Sequence, residues 1–336
     1  VAGSFGRALT VGVEEELLLL DPQTLALAPG VEKLIGRHSA AARPPQGLKT
    51  ELFSCLIETN TPVCESAEAA RVELVLLRRQ VREAARREGL ALAASGTHPF
   101  SPPEEQEIVP EPRYLQMLEE LGPETRRQLV CGLHVHIGME SFEACLATLA
   151  AIVPWLPSVL ALSLNSPYLA GAETGALSAR AGRLLELPRG GMPPPLASPA
   201  EWEAHVAATG ADYTRSWWDA RPHPRLGTLE IRIADQPTSV ERSAALAALV
   251  QAFCADPPRP GATGEVAYAS QRAAATLGDA PTAELLAAVE PAARSLGTWE
   301  LVETLREPAE ALRQLEVGRR DGLDAVAADL VERTAA

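Results

Sequence analysis

In Leu229-Glu230-Ile231-Arg232-Ile233, period-two alternation puts a carboxylate and a guanidinium on one face of a strand and three aliphatic side chains on the other. Three further segments read as strands or strand ends that offer acids or imidazoles: Gly12-Val13-Glu14-Glu15-Glu16, Glu51 to Glu58, and His134-Val135-His136. Glu14, Glu16, Glu51, Glu58, His134 and Glu230 are five carboxylates and one imidazole. Such a donor set suits Mg²⁺ or Mn²⁺ better than zinc, which prefers Cys and His. Acids crowded into one cavity repel, so either divalent metal joins them or their pKa values rise. Paired metals on phosphate oxygens neutralise charge in phosphoryl transfer, and Arg232 beside Glu230 would aid the transferred group.

Each element alone also has an ordinary reading. A lone ExR is a surface ion pair, ExE a solvated face, HxH a satisfied polar pair. Glu51 and Glu58, seven residues apart, fall on opposite faces of a perfect strand, so a bend or bulge between them is required. No Walker A, GxSxG or HExxH sequence is present, which removes the phosphate-loop, serine hydrolase and zincin readings. The residues by themselves point to a divalent-metal enzyme. A hydrolase using the same metals and a noncatalytic nucleotide or carboxylate binder stand as alternatives.

Composition narrows the partners. The 336 residues can bury a large core, and 46% hydrophobic with 22% charged residues is ordinary for a globular protein. Acids outnumber bases 44 to 30, for a formal charge of -14, and no dense Lys/Arg run tracks a phosphate backbone, which argues against nucleic acid. Five cysteines, Cys55, Cys64, Cys131, Cys145 and Cys254, without CxxC spacing suggest neither a zinc ribbon nor a disulfide framework, and fit a reducing cytoplasm. The first residues lack the apolar run of a signal peptide. Ala144 to Ala172 is free of charge, but Pro154, Pro157 and Pro167 interrupt it and its flanks are acidic, so it reads as two buried helices rather than a membrane span.

The elements that must position these groups follow from pattern and punctuation. Strands are expected over 8–20, 24–29, 51–59, 90–94, 128–138 and 229–233. Helices are expected over 31–37, from an N-cap at Ser66 to Glu88 with a stop at Gly89, over 114–121, 142–164, 199–209 and 240–254, and in Ala-rich pieces from Ala262 on. Pro44-Pro45 opens a loop, and 165–195 reads as a long loop rich in Gly, Ser and Pro. His98 reads as structural, and Trp217-Trp218 as core. Strands interspersed with helices, closely spaced at the end of the sheet-forming part, indicate an α+β fold with a mostly antiparallel sheet backed by helices. One catalytic domain over 1–336 is expected, with a core at 8–255 and a helical part at 256–336.

The runs TVGVEEELLLLDP at 10–22, GLHVHIGM at 132–139, LALSLNSPYLAG at 160–171, ETGALSAR at 173–180 and WWDARPHPRLGTLEIRIAD at 217–235 resemble the bacterial carboxylate-amine ligase family, or glutamate-cysteine ligase type 2. The resemblance implies a glutamine synthetase-like fold, a curved antiparallel sheet with helices on its outer side. It implies that ATP phosphorylates a carboxylate, glutamate being favoured, and that an amine such as that of cysteine displaces phosphate to give an amide. Carried over, Glu14, Glu16, Glu51, Glu58, His134 and Glu230 would hold Mg²⁺ or Mn²⁺, and Arg232 would stabilise the transferring phosphoryl group. Ser178 and Arg180 would meet the amino-acid substrate, with the 165–195 loop selecting the amine, and His136 would orient His134 or face substrate. Beyond residue 260 the family's paired arginines are reduced to Arg272, with Ala275 at the second position. The Ala/Leu helices leave room for a homodimer.

Overall fold

The computed structural model describes residues 4–36, 47–258 and 263–335; the Pro44-Pro45 loop lies outside them. The described residues hold nine strands: β1 (Val11–Leu20), β2 (Leu48–Thr50), β3 (Leu56–Asn60), β4 (Ala91–Ala93), β5 (Leu133–Gly138), β6 (Tyr168–Leu169), β7 (Ala172–Glu173), β8 (Ala220–His223) and β9 (Thr228–Ile231). Seven form one antiparallel sheet in the order β2-β3-β1-β5-β9-β8, with β4 also paired to β1; β6 and β7 make a separate hairpin. The α+β, glutamine synthetase-like architecture expected from the sequence is the one adopted, with helices behind an antiparallel sheet whose other face carries acids.

Alternation decides which face is which. Val11, Val13 and Leu17 of β1, Leu133, Val135 and Ile137 of β5, and Leu229 and Ile231 of β9 are buried toward the helices Ala67–Arg87, Phe142–Ile152 and Val240–Ala255. The first of these helices begins where Ser66 accepts a hydrogen bond from the Ala69 N–H and stops at Gly89, whose φ of +73° suits glycine. One acid breaks the apolar side. Glu15 is fully buried there and is met by Arg78 Nε (2.8 Å), Ser243 Oγ (2.6 Å) and Gln236 Nε2 (3.0 Å). A buried charge needs such partners to persist.

Several expected elements differ. The 24–29 strand reduces to a single bridge between Leu27 and Leu20. Glu51 to Glu58 is not one bent strand: a turn separates β2 from β3, and the antiparallel hairpin brings the two acids back to one face. The apolar segment Phe142–Ser163 is long enough to cross a membrane by length and composition, yet a 3-10 turn at Val153–Trp155 breaks it and most of its apolar stretch is buried against the rest of the chain. The 165–195 stretch is less irregular than its composition suggests, since it holds the β6–β7 hairpin and the helix Ala179–Leu184. The helix Glu310–Asp321 pins it: Gln314 Nε2 donates to Asn165 Oδ1 (2.7 Å), Arg319 pairs with Glu173, and Gly318 leaves room for the Tyr168 hydroxyl.

Candidate active site

The ladder registers bring the polar side chains of one face together. Glu14 lies opposite His134 on one side and Asn60 on the other; Glu16 is opposite Glu58, His136 opposite Glu230, Arg221 opposite Glu230, and Lys49 opposite Glu58. Six strands therefore contribute to one surface, and Glu51 joins it from just past the end of β2. All six side chains singled out as metal ligands, together with Arg232, are on it.

Two groups of donors can be distinguished. Ligand atoms of Glu14, His136 and Glu230 all lie within 4.8 Å of one another. Glu16, Glu51 and Glu58 form the second group, close enough that burial and mutual repulsion push Glu51 well above the carboxylate range and Glu16 up to about 7. His134 sits between the groups, with Nδ1 3.3 Å from Glu14 Oε2 and Nε2 3.9 Å from Glu16 Oε1. Its Nδ1 is also 3.4 Å from Arg232 Nη1, and one ring nitrogen can serve only one of these partners at a time. Burial, then the Arg232 charge, pull His134 down to about 4, so it is neutral at pH 7.

The imidazole of the tighter group is His136, not the His134 of the expected set. His136 Nδ1 is 3.0 Å from Thr228 Oγ1, while its buried Nε2 has no hydrogen-bond partner and stops 3.7 Å from Glu14 Oε1. If Nδ1 donates to Thr228, Nε2 presents a lone pair to Glu14 and Glu230, the arrangement in which an outer hydroxyl orients a ligand imidazole. That orphaned nitrogen and two adjacent carboxylates fit a divalent cation, and the three acids of the second group fit a hard one.

Glu230 is 1% exposed and held from two sides. Arg221 Nε donates to its Oε2 (2.7 Å) and Nη2 to its Oε1 (3.1 Å), and Arg232 Nη1 donates to Oε1 as well. Burial alone would raise this carboxyl; the two guanidiniums hold it well below its usual range. In Glu14, burial is likewise outweighed, here by His134 and His136. Arg232 takes its position from the main chain: its N–H donates to Asp219 O (2.9 Å), and Asp219 is clamped by Arg272 Nε (2.7 Å) and Tyr268 Oη (2.7 Å). Arg272 is thus a buried anchor of the Trp217-Trp218-Asp219 segment.

Ser178 and Arg180 are placed differently from the expectation that they meet substrate. They are 1% and 2% exposed. The Ser178 hydroxyl donates to Asp235 Oδ1 (2.8 Å), and Arg180 donates to Ile233 O (3.1 Å) and Arg232 O (3.0 Å). The cause is Asp235, a fully buried carboxylate that recruits Ser166, Ser178 and the Asn165 N–H to satisfy it. Arg180 acts on the site from behind, through the backbone of Arg232 and by lying over Gly132, whose N–H donates to Glu16 Oε2 (2.5 Å). His98 is structural as expected: buried, its Nε2 bonds Leu25 O and its Nδ1 accepts from Ser101 N.

A cavity of about 600 Å³ opens at the Glu14 end of the surface. Its wall includes Arg7, Lys49, His223 and Arg225, the hydroxyls of Thr10, Thr61 and Thr228, and apolar Phe5, Pro62, Val63 and Leu226, with Glu14 and His136 at its inner edge. Among the described residues, the exposed Arg7 and Arg225 have no carboxylate partner. Arg221 and Lys49 escaped the sequence reading because their signal is cross-strand. Reading RPHPRLGTLEIR as a hairpin about Gly227 would have set Arg221 opposite Glu230.

Comparison with known proteins identifies relatives of the chain. The chain is 39% identical to the Rubrobacter xylanophilus protein named "Putative glutamate--cysteine ligase 2-3", over 97% of each chain. It is 38% identical to the Herpetosiphon aurantiacus protein named "Putative glutamate--cysteine ligase 2", where the match spans 73% of this chain and 64% of the relative. The fold is shared with the glutamate–cysteine ligase of Francisella tularensis, solved in complex with AMP (TM-score 0.69, 13% identity, 99% of this chain and 89% of that one). It is shared too with a bifunctional glutathione synthetase from Pasteurella multocida (TM-score 0.69, 14% identity, 97% and 52%). With residues 10–262 matched by the model of glutamate-cysteine ligase family 2, the chain belongs to that family.

Proposed function

We propose that the protein is an ATP-dependent carboxylate-amine ligase of the glutamate–cysteine ligase type. One observation carries the reading: carboxylates and imidazoles from β1, β3, β5 and β9 converge with Arg221 and Arg232 beside a cavity whose wall includes the cations Arg7, Lys49 and Arg225. A nucleoside triphosphate fits the cavity in chemistry, its base against Phe5, Pro62, Val63 and Leu226 and its phosphates toward Arg7, Lys49 and Arg225. Glu14, His136 and Glu230 would hold one Mg²⁺ or Mn²⁺, and Glu16, Glu51 and Glu58 a second, with His134 between them. Bound there, divalent cations would supply neutralising charge for the phosphate oxygens.

The chain's own residues account for the rest. The carboxylate oxygen of glutamate, or a similar acid, attacks the γ-phosphorus while the bond to the leaving ADP oxygen breaks. Arg232, fixed by Asp219 and Arg180, presents its guanidinium to the equatorial oxygens as charge shifts. The amine of the second substrate, cysteine in the simplest case, then attacks the acyl carbon. The carbon–oxygen bond to phosphate breaks, and the amine proton is lost to solvent. ADP release measured with Mg²⁺, glutamate and a panel of amines, with products followed by mass spectrometry, tests the reading. Stimulation by no pair would refute it, and turnover of a phosphate ester or amide without ATP would point to a hydrolase instead.

A further inference from the structure

Lys49 lies on the edge strand β2, opposite Glu58, and its ammonium reaches across the ladder into the carboxylate surface. Nζ is 3.1 Å from Glu58 Oε1, 2.5 Å from Asn60 Oδ1 and 4.0 Å from Glu14 Oε1. It therefore stands between a carboxylate of the first donor group and one of the second. Among the described residues it is the one side-chain cation within ion-pair distance of Glu58, whose carboxyl is pushed up by burial and by Glu14 and pulled back by Lys49. The Lys49 side chain is 54% exposed and lines the cavity that also holds Arg7 and Arg225. A compact ammonium on four rotatable bonds can leave the acids without moving the strand.

Resting on the ligase reading, we propose that Lys49 is an exchangeable internal cation: it pairs with Glu58 and Glu14 until divalent ions bind the two donor groups to which those carboxylates belong, and then turns outward onto the nucleotide phosphates. Two cations cannot occupy one position a few ångströms from the same carboxylates, because at such spacing like charges repel strongly even with substantial screening. Displaced, the ammonium would meet the anionic oxygens of a triphosphate seated in the cavity it already lines. The exchange makes metal binding and nucleotide binding support one another, since the nucleotide gives the expelled charge a partner.

The test measures Mn²⁺ uptake by the electron paramagnetic resonance of free Mn²⁺, without nucleotide, and binding of a non-hydrolysable ATP analogue by calorimetry at saturating Mn²⁺. Lys49→Met should bind Mn²⁺ about tenfold more tightly than the wild type and the analogue about tenfold more weakly. Arg225→Met, which removes a charge from the same wall without touching a carboxylate, should weaken the analogue but leave Mn²⁺ affinity unchanged. Unchanged Mn²⁺ affinity in Lys49→Met overturns the exchange. So does equal tightening in both variants, which would be a general field effect, and so does tightening with no loss of analogue binding. If neither wild type nor Lys49→Met takes up Mn²⁺ at millimolar concentration, the metal-dependent ligase reading falls as well.

Discussion

Arg221 grips Glu230 across the β8–β9 ladder with two hydrogen bonds, Nε to Oε2 at 2.7 Å and Nη2 to Oε1 at 3.1 Å. The carboxylate is thus both a member of the tight donor group and the counter-charge for two half-buried guanidiniums. Glu230→Gln should therefore fail twice. Turnover should drop by about a hundredfold or more, because a neutral amide is a poor partner for a divalent ion. Unfolding free energy should fall by on the order of 3 kcal/mol, because Arg221 and Arg232 keep their burial and lose their anion. Steady-state ADP release and denaturant unfolding check the two effects, and near-normal turnover would remove Glu230 from the site.

Arg232→Lys separates charge from shape. The guanidinium reaches Glu230 and His134 from one planar group, and an ammonium at that position can satisfy only part of that geometry. kcat should fall by about a hundredfold, with the KM for ATP changed far less, if Arg232 acts on charge developing in the transition state. A variant whose KM rises while kcat holds would place Arg232 in ground-state binding.

Glu16 supplies a pH signature. Burial pushes its carboxyl up to about 7 from 4.5, against the Arg180 charge and the Gly132 N–H and with help from Glu58. Between those values the folded protein holds a proton that the unfolded chain has released, so this group's contribution to stability falls as pH rises from about 4.5 to 7. The cost at pH 7 is on the order of 3 kcal/mol. Glu16→Gln carries no such titration. In chelator-treated protein, its stability relative to wild type should climb across that window, and Mg²⁺ should shrink the difference. A difference that stays flat with pH would mean that Glu16 ionises normally.

Arg78 makes a purely structural counterpart. It meets Glu15 with Nε and Nη2 at 2.8 and 2.6 Å on the helix side of the strand whose other face carries Glu14 and Glu16. Arg78→Met would strand a fully buried carboxylate with only Ser243 and Gln236 as partners, at a cost of about 3–5 kcal/mol. Hydrogen exchange should show β1 and the Ala67–Arg87 helix loosening together. Unaltered protection would show that Glu15 is satisfied without the guanidinium.

How much of this was readable beforehand depends on the range of the signal. Glu14, Glu16, His134 and Glu230 were legible because alternation within a single strand assigns each to a face, and the face was right in all four. Glu51 and Glu58 stand out as acids at the ends of one apolar segment, but seven residues of spacing cannot reveal that a turn folds them into a hairpin. Lys49 and Arg221 were passed over because what marks them is the register of neighbouring strands. The preference for His136 over His134 in the tight group depends on side-chain direction, and so on Thr228, which no spacing rule ties to it. Ser178 and Arg180 were assigned to substrate through resemblance alone; the buried Asp235 that claims them is more than fifty residues away.

Gly132→Ala tests whether Arg180 works through the backbone of Arg232. A Cβ on Gly132 would overlap the Arg180 guanidinium, which cannot withdraw without releasing the carbonyls of Ile233 and Arg232. The same residue's N–H holds Glu16, so the added methyl presses on two members of the site at once. Turnover should fall by about tenfold to a hundredfold, since small displacements of a positioned group are costly. Arg180→Lys, which can reach one carbonyl but not both, should lower kcat in the same direction while sparing the KM for glutamate. If Arg180→Lys instead raises that KM and leaves kcat intact, Arg180 touches substrate after all, and its burial in this structure is relieved when substrate binds.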